Sequence, residues 1–308
     1  MDVKSARDQF ILSCVTERLS PKTIRAYEDH LDRFLEQLGD FQIEDLTVNE
    51  IRKFIQLEMT RQGRDGYLSS SSVHKAFSVV RTFANWSYRE GLVTPCPTDN
   101  LRAPRIEQAI PEVLSDKELK DLHHHLRTEA SLRDRSIIEF FLDTGARLSE
   151  VVNLNVKDVN IDQAYCRIMG KGRKEGVLPL GYSLRFNLHK YIHTEREAAI
   201  DESALFVSYN SGKRLHQTGI ANVVRKHLAA IGIAGKKGPH KLRHTFATLF
   251  LRNGGSLEAL RIILRHNDIK TTQIYLHLGS GHILQQHNHA SPVDALYKGK
   301  RKSIAFLE

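Results

Sequence analysis

The sequence predicts a mainly α-helical protein built in two parts, with one small β-hairpin in the second part. Apolar residues recur with helical spacing through the first hundred positions, a proline-rich stretch follows, and helical spacing then resumes. The later helices are interrupted by two short strand-like runs on either side of a glycine-rich, cationic segment at 170–176. With 308 residues, the chain is long enough for each part to bury its own core.

Capping signals divide the first part into helices. Ser20 followed by Pro21 predicts the start of one helix, and Thr47 with Glu50 forms a capping box for the next. Together with a shorter helix before them and a long one after them, these make a unit of four or five helices over residues 1–92.

Two segments in and after this unit lack periodicity. We expect residues 62–70 to form a polar loop. Residues 93–111 contain four prolines, which lack a backbone donor and restrict the preceding residue, so an interdomain linker is predicted there. A second domain would then cover 112–280, followed by a tail at 281–308.

The second part combines helices with the hairpin. Gly145 ends one predicted helix and places Arg147 near the start of the next. Strands are predicted at 164–169 and 177–180. A further helix is predicted from one apolar face, formed by Leu242, Phe246, Leu249 and Phe250.

Composition favours an intracellular protein with a polyanionic partner. Lysine and arginine number 45 against 36 acidic residues, which gives a net charge of +9. Three widely spaced cysteines predict neither a disulfide framework nor a zinc site, and three consecutive histidines at 123–125 cannot converge on one metal from a helix. We therefore expect a cytoplasmic protein without a metal or a membrane span.

Phosphate-binding side chains concentrate between residues 239 and 277, next to a tyrosine. The guanidinium groups of Arg243 and Arg147 can each donate two parallel hydrogen bonds to a phosphate, which lysine cannot do. A free tyrosine has a pKa of about 10, so Tyr275 would need a base and nearby positive charge to act as a nucleophile. The pattern predicts chemistry on a phosphodiester.

The same residues resemble those of the tyrosine recombinase/integrase family. Arg147 stands in Thr-Gly-Ala-Arg-Leu-Ser-Glu, and Lys171 follows on the hairpin. His240 and Arg243 match the family's His-x-x-Arg, while a histidine and a tyrosine nine residues apart match its closing pair. All six positions are occupied in the family's order: Arg147, Lys171, His240, Arg243, His266 and Tyr275.

This resemblance implies a SAM-like core-binding domain followed by a catalytic domain of the DNA breaking-rejoining fold. It implies a site-specific recombinase that forms a 3′-phosphotyrosyl link through Tyr275 and needs no metal, ATP or other cofactor. The implied roles are phosphate clamps for Arg147 and Arg243, base for His240, acid for Lys171 and phosphate donor for His266.

The implied partner is duplex DNA with inverted half-sites, bound by a homo-tetramer or by a hetero-tetramer with a related recombinase. The short N-terminal part and the compact catalytic part are similar to the layout of Xer-type recombinases or of transposon and plasmid resolvases, so we expect an Xer-like or mobile-element recombinase. We expect the tail to dock on a neighbouring protomer; the alternative is that it folds back onto its own domain. The candidate DNA contacts are Lys22, Arg25, Lys75, Arg81, Arg102, Arg105, Arg173, Lys174 and Lys241.

Two other functions are compatible with parts of this pattern. A type IB topoisomerase also makes a 3′-phosphotyrosine but relaxes one duplex without a partner protomer. A non-enzymatic DNA-binding regulator on the same scaffold would be expected to have lost some of the six residues. A covalent protein–DNA adduct separates the regulator from the enzymes, and the joining of two duplexes separates the recombinase from the topoisomerase.

Three neighbours of the cluster carry further expectations. Glu150, three residues after Arg147, is expected to orient it. His244 adjoins Arg243, points elsewhere on the helix and is expected to give structural support. Arg265 replaces the glycine of the family's Leu-Gly-His, so we expect an ordinary helix end there, with a cation that contacts DNA or faces solvent.

Overall fold

The computed structural model describes residues 1–63, 66–107, 111–169, 175–196, 203–266 and 268–275. In these ranges it contains twelve α-helices and two small antiparallel sheets, which confirms the mainly α prediction. Contacts within the chain divide it into two compact units, Met1–Ala109 and Ile110–Glu308. Over the described residues, no helix combines the length and apolar character that a membrane span requires.

The first unit consists of four helices and a minimal hairpin. The predicted caps are present: Ser20 accepts a hydrogen bond from the backbone of Thr23 at 3.1 Å, and Glu50 accepts one from the backbone of Thr47 at 3.0 Å. The expected loop at 62–70 instead begins with the hairpin, whose two-residue strands are too short to show an alternating pattern. The elements are α1 (Val3–Thr16), α2 (Pro21–Leu38), a 3-10 turn (Ile43–Asp45), α3 (Val48–Thr60), β1 (Gln62–Gly63), β2 (Gly66–Tyr67) and α4 (Ser70–Arg89).

An aromatic cluster joins α1, α2 and α4. The ring of Phe10 on α1 lies 5.6 Å from those of Tyr27 and Phe83 and 5.5 Å from that of Trp86. The segment after α4 folds back onto this unit. One contact that shows this is the hydrogen bond between Nδ1 of His74 and the carbonyl oxygen of Pro104, at 3.0 Å. Much of the expected linker therefore packs on the first unit.

The second unit is built around the central helix α6, which packs against α8, α9 and α10. Gly145 follows α6 with a positive φ of 60°, as the predicted helix break requires. The elements are α5 (Asp116–Thr128), α6 (Leu132–Thr144), α7 (Leu148–Val152), a 3-10 turn (Val156–Asp158), β3 (Val159–Asn160), β4 (Tyr165–Met169), β5 (Glu175–Pro179), α8 (Tyr182–Thr194), α9 (Gln217–Ala230), α10 (Pro239–Arg252), α11 (Leu257–Leu264) and α12 (Lys270–Gln273).

The sheet of this unit has the order β3-β4-β5 and is antiparallel throughout. Its two longer strands confirm the predicted hairpin, and Cys166 faces Leu178 across them in the core. The hairpin tip, residues 170–174, lies outside the described residues.

A separate apolar cluster joins α10, α11 and the segment that carries the tyrosine. Its buried members include Phe246 and Leu251 of α10, Leu260 and Leu264 of α11, and Tyr275. Because α10 also packs against α6, the ends of α6 and α11 meet beside the first turns of α10.

Candidate active site

Arg243 lies buried on α10 at the point where three segments meet. Its Nη1 donates to the carbonyl of Gly145, and its Nη2 donates to the carbonyl of Leu264 at 2.9 Å and to Nε2 of His266 at 3.1 Å. Burial, reinforced by the charge of Arg147, lowers the pKa of Arg243 to about 10. The guanidinium is therefore charged at neutral pH and fixed mainly by backbone oxygens.

Gly145 permits this arrangement for two reasons. Its backbone adopts the left-handed conformation that side chains disfavour. A Cβ added there would lie 2.4 Å from Cδ1 of Phe246 and 2.8 Å from Cδ2 of Leu264. The carbonyl of Gly145 can meet Arg243 only because the residue has no side chain.

Arg147 precedes α7 and is held by a carboxylate. Its side chain is 38% exposed, whereas that of Glu150 is 3% exposed. Glu150 accepts from Nη1 of Arg147 at 3.1 Å and from its backbone nitrogen at 2.7 Å, which confirms the expected pairing. Arg147 also donates from Nη2 to the carbonyl of Arg265 at 3.2 Å.

The expectation for Arg265 was wrong in both respects. Its backbone is left-handed, with φ 54° and ψ 49°, so it ends α11 as the family's glycine would. Its side chain is 19% exposed and is not a free cation, because it pairs with the buried carboxylate of Glu150. The sequence could not show that a distant carboxylate would hold this side chain and offset the backbone cost.

His266 is fixed by both of its ring nitrogens. Nε2 faces Nη2 of Arg243, which can only donate, so Nε2 accepts and Nδ1 carries the proton. Nδ1 then donates to Oγ1 of the buried Thr272 at 2.8 Å. Burial, followed by the charge of Arg243, lowers the pKa of His266 to about 4, so the ring is neutral at physiological pH.

Tyr275 lies close to this group, but its hydroxyl is sequestered. The residue is 2% exposed, and its Oη lies 2.8 Å from Nδ1 of His244. Burial raises the pKa of Tyr275 against the opposing charge of Arg243, and burial lowers the pKa of His244. His244 was expected to point elsewhere; the available signal was its position four residues after His240, on the same helix face.

Two further catalytic residues were predicted, His240 and Lys171. His240 is exposed in the first turn of α10, and its side chain makes no hydrogen bond or ion pair with the rest of the described chain. Lys171 lies outside the described residues. The structure thus brings Arg147, Arg243, His266 and Tyr275 together.

The predicted DNA contacts fall into three groups. Lys241 is paired with Glu112 at 3.3 Å, and its side chain is 9% exposed. Arg173 and Lys174 lie outside the described residues. The remaining six are exposed and form no ion pair within the described ranges: Lys22, Arg25, Lys75, Arg81, Arg102 and Arg105.

Comparisons with known proteins match both parts of the chain. Residues 112–282 match the phage integrase family, and residues 8–91 match the SAM-like N-terminal domain of phage integrases. The chain is 30% identical over 279 residues to tyrosine recombinase XerC of Proteus mirabilis, covering 90% of each protein. It is 33% identical over 283 residues to XerD of Staphylococcus epidermidis, covering 90% of this chain and 95% of the relative.

The fold is similar to that of solved integrase structures. A lambda integrase dimer bound to a COC′ core site aligns with a TM-score of 0.73 at 17% identity. The alignment covers 89% of this chain and 95% of the solved integrase chain, which comprises residues 75–356. At this identity, the likeness concerns the fold.

Proposed function

The chain belongs to the phage integrase family and is a site-specific tyrosine recombinase; from that premise we propose which residues carry out its chemistry. The observation that carries the proposal is the fixed guanidinium of Arg243. It is hydrogen-bonded to His266, and Arg147 lies close enough for its charge to lower the pKa of Arg243. The proposed nucleophile, Tyr275, belongs to the same group. The relatives named above are recombinases, and neither the topoisomerase nor the regulator gains support from them.

In the proposed mechanism, Arg147 and Arg243 bind the non-bridging oxygens of the scissile phosphate. Negative charge on these oxygens grows as the phosphorus becomes five-coordinate, so fixed guanidinium groups stabilise the transition state more than the ground state. Neutral His266 donates a hydrogen bond to the same phosphate, which requires it to exchange its present partners on binding. Chemistry that is independent of metal and ATP fits the family.

Tyr275 attacks the phosphorus through Oη and forms a 3′-phosphotyrosyl bond. Its hydroxyl is buried against His244, so it must leave this position to reach DNA. We propose that His240, exposed one turn earlier on α10, accepts the phenolic proton. His244 keeps the hydroxyl bonded until then.

Lys171 is proposed to protonate the departing 5′ oxygen. The reverse reaction, attack by a 5′-hydroxyl of another strand, releases Tyr275 and completes strand exchange. The phosphotyrosyl link conserves the energy of the broken bond, so ligation needs no nucleotide.

We propose that the helical unit over residues 1–92 and the catalytic unit over 112–280 both bind duplex DNA, in the cytoplasm. Support for the helical unit comes from six exposed cations, four of them within residues 1–92 and two, Arg102 and Arg105, in the segment that follows. Their phosphate contacts would weaken steeply with salt. Arg173 and Lys174 join them, whereas Lys241 does not, because it is already paired. The solved relatives include an integrase tetramer bound to a Holliday junction, and we propose a tetramer on inverted half-sites here too.

The tail at 281–308 is proposed to dock on a neighbouring protomer. The sequence supplies apolar residues, including Val293 and Leu296, beyond a glycine pair. The described catalytic unit has a cavity of about 660 Å³ lined by Phe246, Leu249 and Phe250, which these residues could fill. Deleting 290–308 should abolish cooperative binding to paired half-sites; unchanged cooperativity contradicts the docking.

A covalent-trapping experiment tests the assignment of the nucleophile. Duplexes that the protein selects from a random pool are nicked next to the cleavage position, so that ligation cannot reverse the first step. The unaltered protein should form a denaturant-resistant adduct with DNA. Tyr275→Phe should form none, while Tyr182→Phe, which alters an exposed tyrosine of α8, should retain the adduct.

The outcomes also distinguish the three functions. An adduct followed by the joining of two duplexes supports a recombinase. An adduct that never joins two duplexes favours a topoisomerase. DNA binding without any adduct leaves the regulator and contradicts the proposal.

A further inference from the structure

Arg265 adopts a backbone conformation that most side chains avoid. It follows α11 with φ 54° and ψ 49°, and its backbone nitrogen bonds the carbonyl of Ile262 at 3.0 Å. A residue with a Cβ costs about 1 kcal/mol more than glycine in this conformation. Contacts of the side chain must therefore offset the backbone cost.

Two polar contacts hold the side chain, and one of them is an ion pair with a buried carboxylate. Nη2 of Arg265 pairs with Oε2 of Glu150, and Nη1 donates to the carbonyl of Ile263 at 2.9 Å. Glu150 is 3% exposed, so its charge is stable there only with cationic partners.

Glu150 has a second cationic partner, Arg147. One oxygen of the carboxylate accepts from Nη1 of Arg147, and the other accepts from its backbone nitrogen. Arg147 is also held by the carbonyl of Arg265 at 3.2 Å. Arg265 thus acts on Arg147 through both its side chain and its backbone.

The stem of Arg265 lies against the base of the hairpin. A Cβ added to Gly176 on β5 would lie 3.1 Å from Cδ of Arg265, which is closer than most such contacts allow. This strand leads directly to the segment that contains Lys171. The side chain therefore links α11, the start of α7 and the β4–β5 hairpin.

We propose that Arg265 is a positioning residue for DNA cleavage, which clamps Glu150 and thereby fixes Arg147 and the hairpin base around the scissile phosphate. This inference rests on the proposed function. Because the clamp orients groups without supplying the nucleophile, its loss slows the chemical step more than it weakens DNA binding.

Single-turnover cleavage of the nicked duplex tests the proposal. Arg265→Gly removes the side chain and suits the left-handed backbone, whereas Arg265→Ala removes the side chain and keeps the backbone cost. Both variants should lower the rate constant of adduct formation roughly tenfold, with the half-saturating protein concentration changed less than about twofold. Added guanidinium ion should restore part of the rate of Arg265→Gly.

Gly176→Ala provides a matched variant on the opposite side of the contact. When Gly176→Ala is the only change, the new methyl group displaces the side chain of Arg265 and should slow cleavage. Combined with Arg265→Gly, the same change should have no further effect. A rate for Arg265→Gly equal to that of the unaltered chain, or an equal effect of Gly176→Ala in both backgrounds, overturns the proposal.

A measurement without DNA keeps the inference separate from the proposed function. Urea unfolding of Arg265→Gly, Glu150→Gln and the double variant should give non-additive shifts of the midpoint, because the two side chains are partners. Additive shifts overturn the clamp whatever the DNA assay gives. The absence of an adduct with the unaltered protein contradicts the proposed function instead.

Discussion

Arg243 and Arg147 are proposed to bind the same phosphate, but the protein holds them in different ways. Arg243 is buried and donates to two backbone carbonyls, whereas Arg147 is partly exposed and depends on the carboxylate of Glu150. An anchor made of backbone carbonyls does not depend on an acidic side chain, whereas an anchor made of a carboxylate is lost when that carboxylate is replaced. The two positions therefore differ in how they tolerate change.

Lysine substitutions at both positions give the largest predicted difference. Arg243→Lys loses the fork that joins three segments, so we expect cleavage to fall by about 10²–10³-fold together with a loss of stability. Arg147→Lys can still pair with Glu150, so its cleavage should fall about tenfold with stability changed by less than about 0.5 kcal/mol. Adduct formation and urea unfolding measure the two effects, and equal losses of stability would contradict the comparison.

Gly145→Ala tests the backbone contact of Arg243 directly, because the carbonyl of Gly145 accepts from Nη1 of Arg243. The new Cβ overlaps Phe246 and occupies a left-handed backbone, so we expect about 3 kcal/mol of destabilisation in urea unfolding. The control is Gly232→Ala in the same unit, at a helix end where φ is 75° but no atom lies within 4 Å, with an expected cost of about 1 kcal/mol. Equal costs would show that packing at Gly145 is unimportant.

Thr272→Val tests the support that reaches Arg243 through His266. The valine cannot accept from Nδ1 of His266, so the ring loses a buried partner. We expect about 1 kcal/mol of destabilisation and roughly tenfold slower cleavage. Thr271→Val, an exposed neighbour on α12, is the control and should match the unaltered protein in both assays.

The last prediction concerns the pH dependence of stability. The pKa of His266 is lowered to about 4 from an ordinary 6.5, so the unfolded chain binds a proton at a higher pH than the folded chain does. The contribution of His266 to stability is therefore complete above pH 6.5 and is lost as the pH falls towards 4. Unfolding midpoints measured across this range should decline less in His266→Asn; parallel curves contradict the shift.

The sequence predicted those features that depend on local signals. Helix α10 follows from its apolar face, α2 from Ser20 and Pro21, and the break at Gly145 from a residue without a side chain. The order of the motifs identified the family. These signals lie within a few residues of the features that they specify.

Contacts between segments that are distant in the sequence could not be predicted from such local signals. Arg265 pairs with a residue 115 positions away, and that pairing offsets a backbone conformation which local preference disfavours. The bond between His244 and Tyr275 spans 31 residues and depends on how the segment that carries the tyrosine packs on α10 and α11. Strand β3 has only two residues, so it was not predicted.

The sharing of Glu150 has a consequence for the charge balance of the reaction. Three guanidinium groups lie around this one carboxylate, those of Arg147, Arg243 and Arg265. Three positive charges and one negative charge leave a net charge of two in the described cluster. A phosphodiester carries one negative charge in its ground state and approaches two in the five-coordinate state. The cluster is thus neutralised at the transition state rather than in the bound substrate. An anion with two charges in trigonal-bipyramidal geometry, such as vanadate bridging DNA ends, should bind more tightly than the intact duplex.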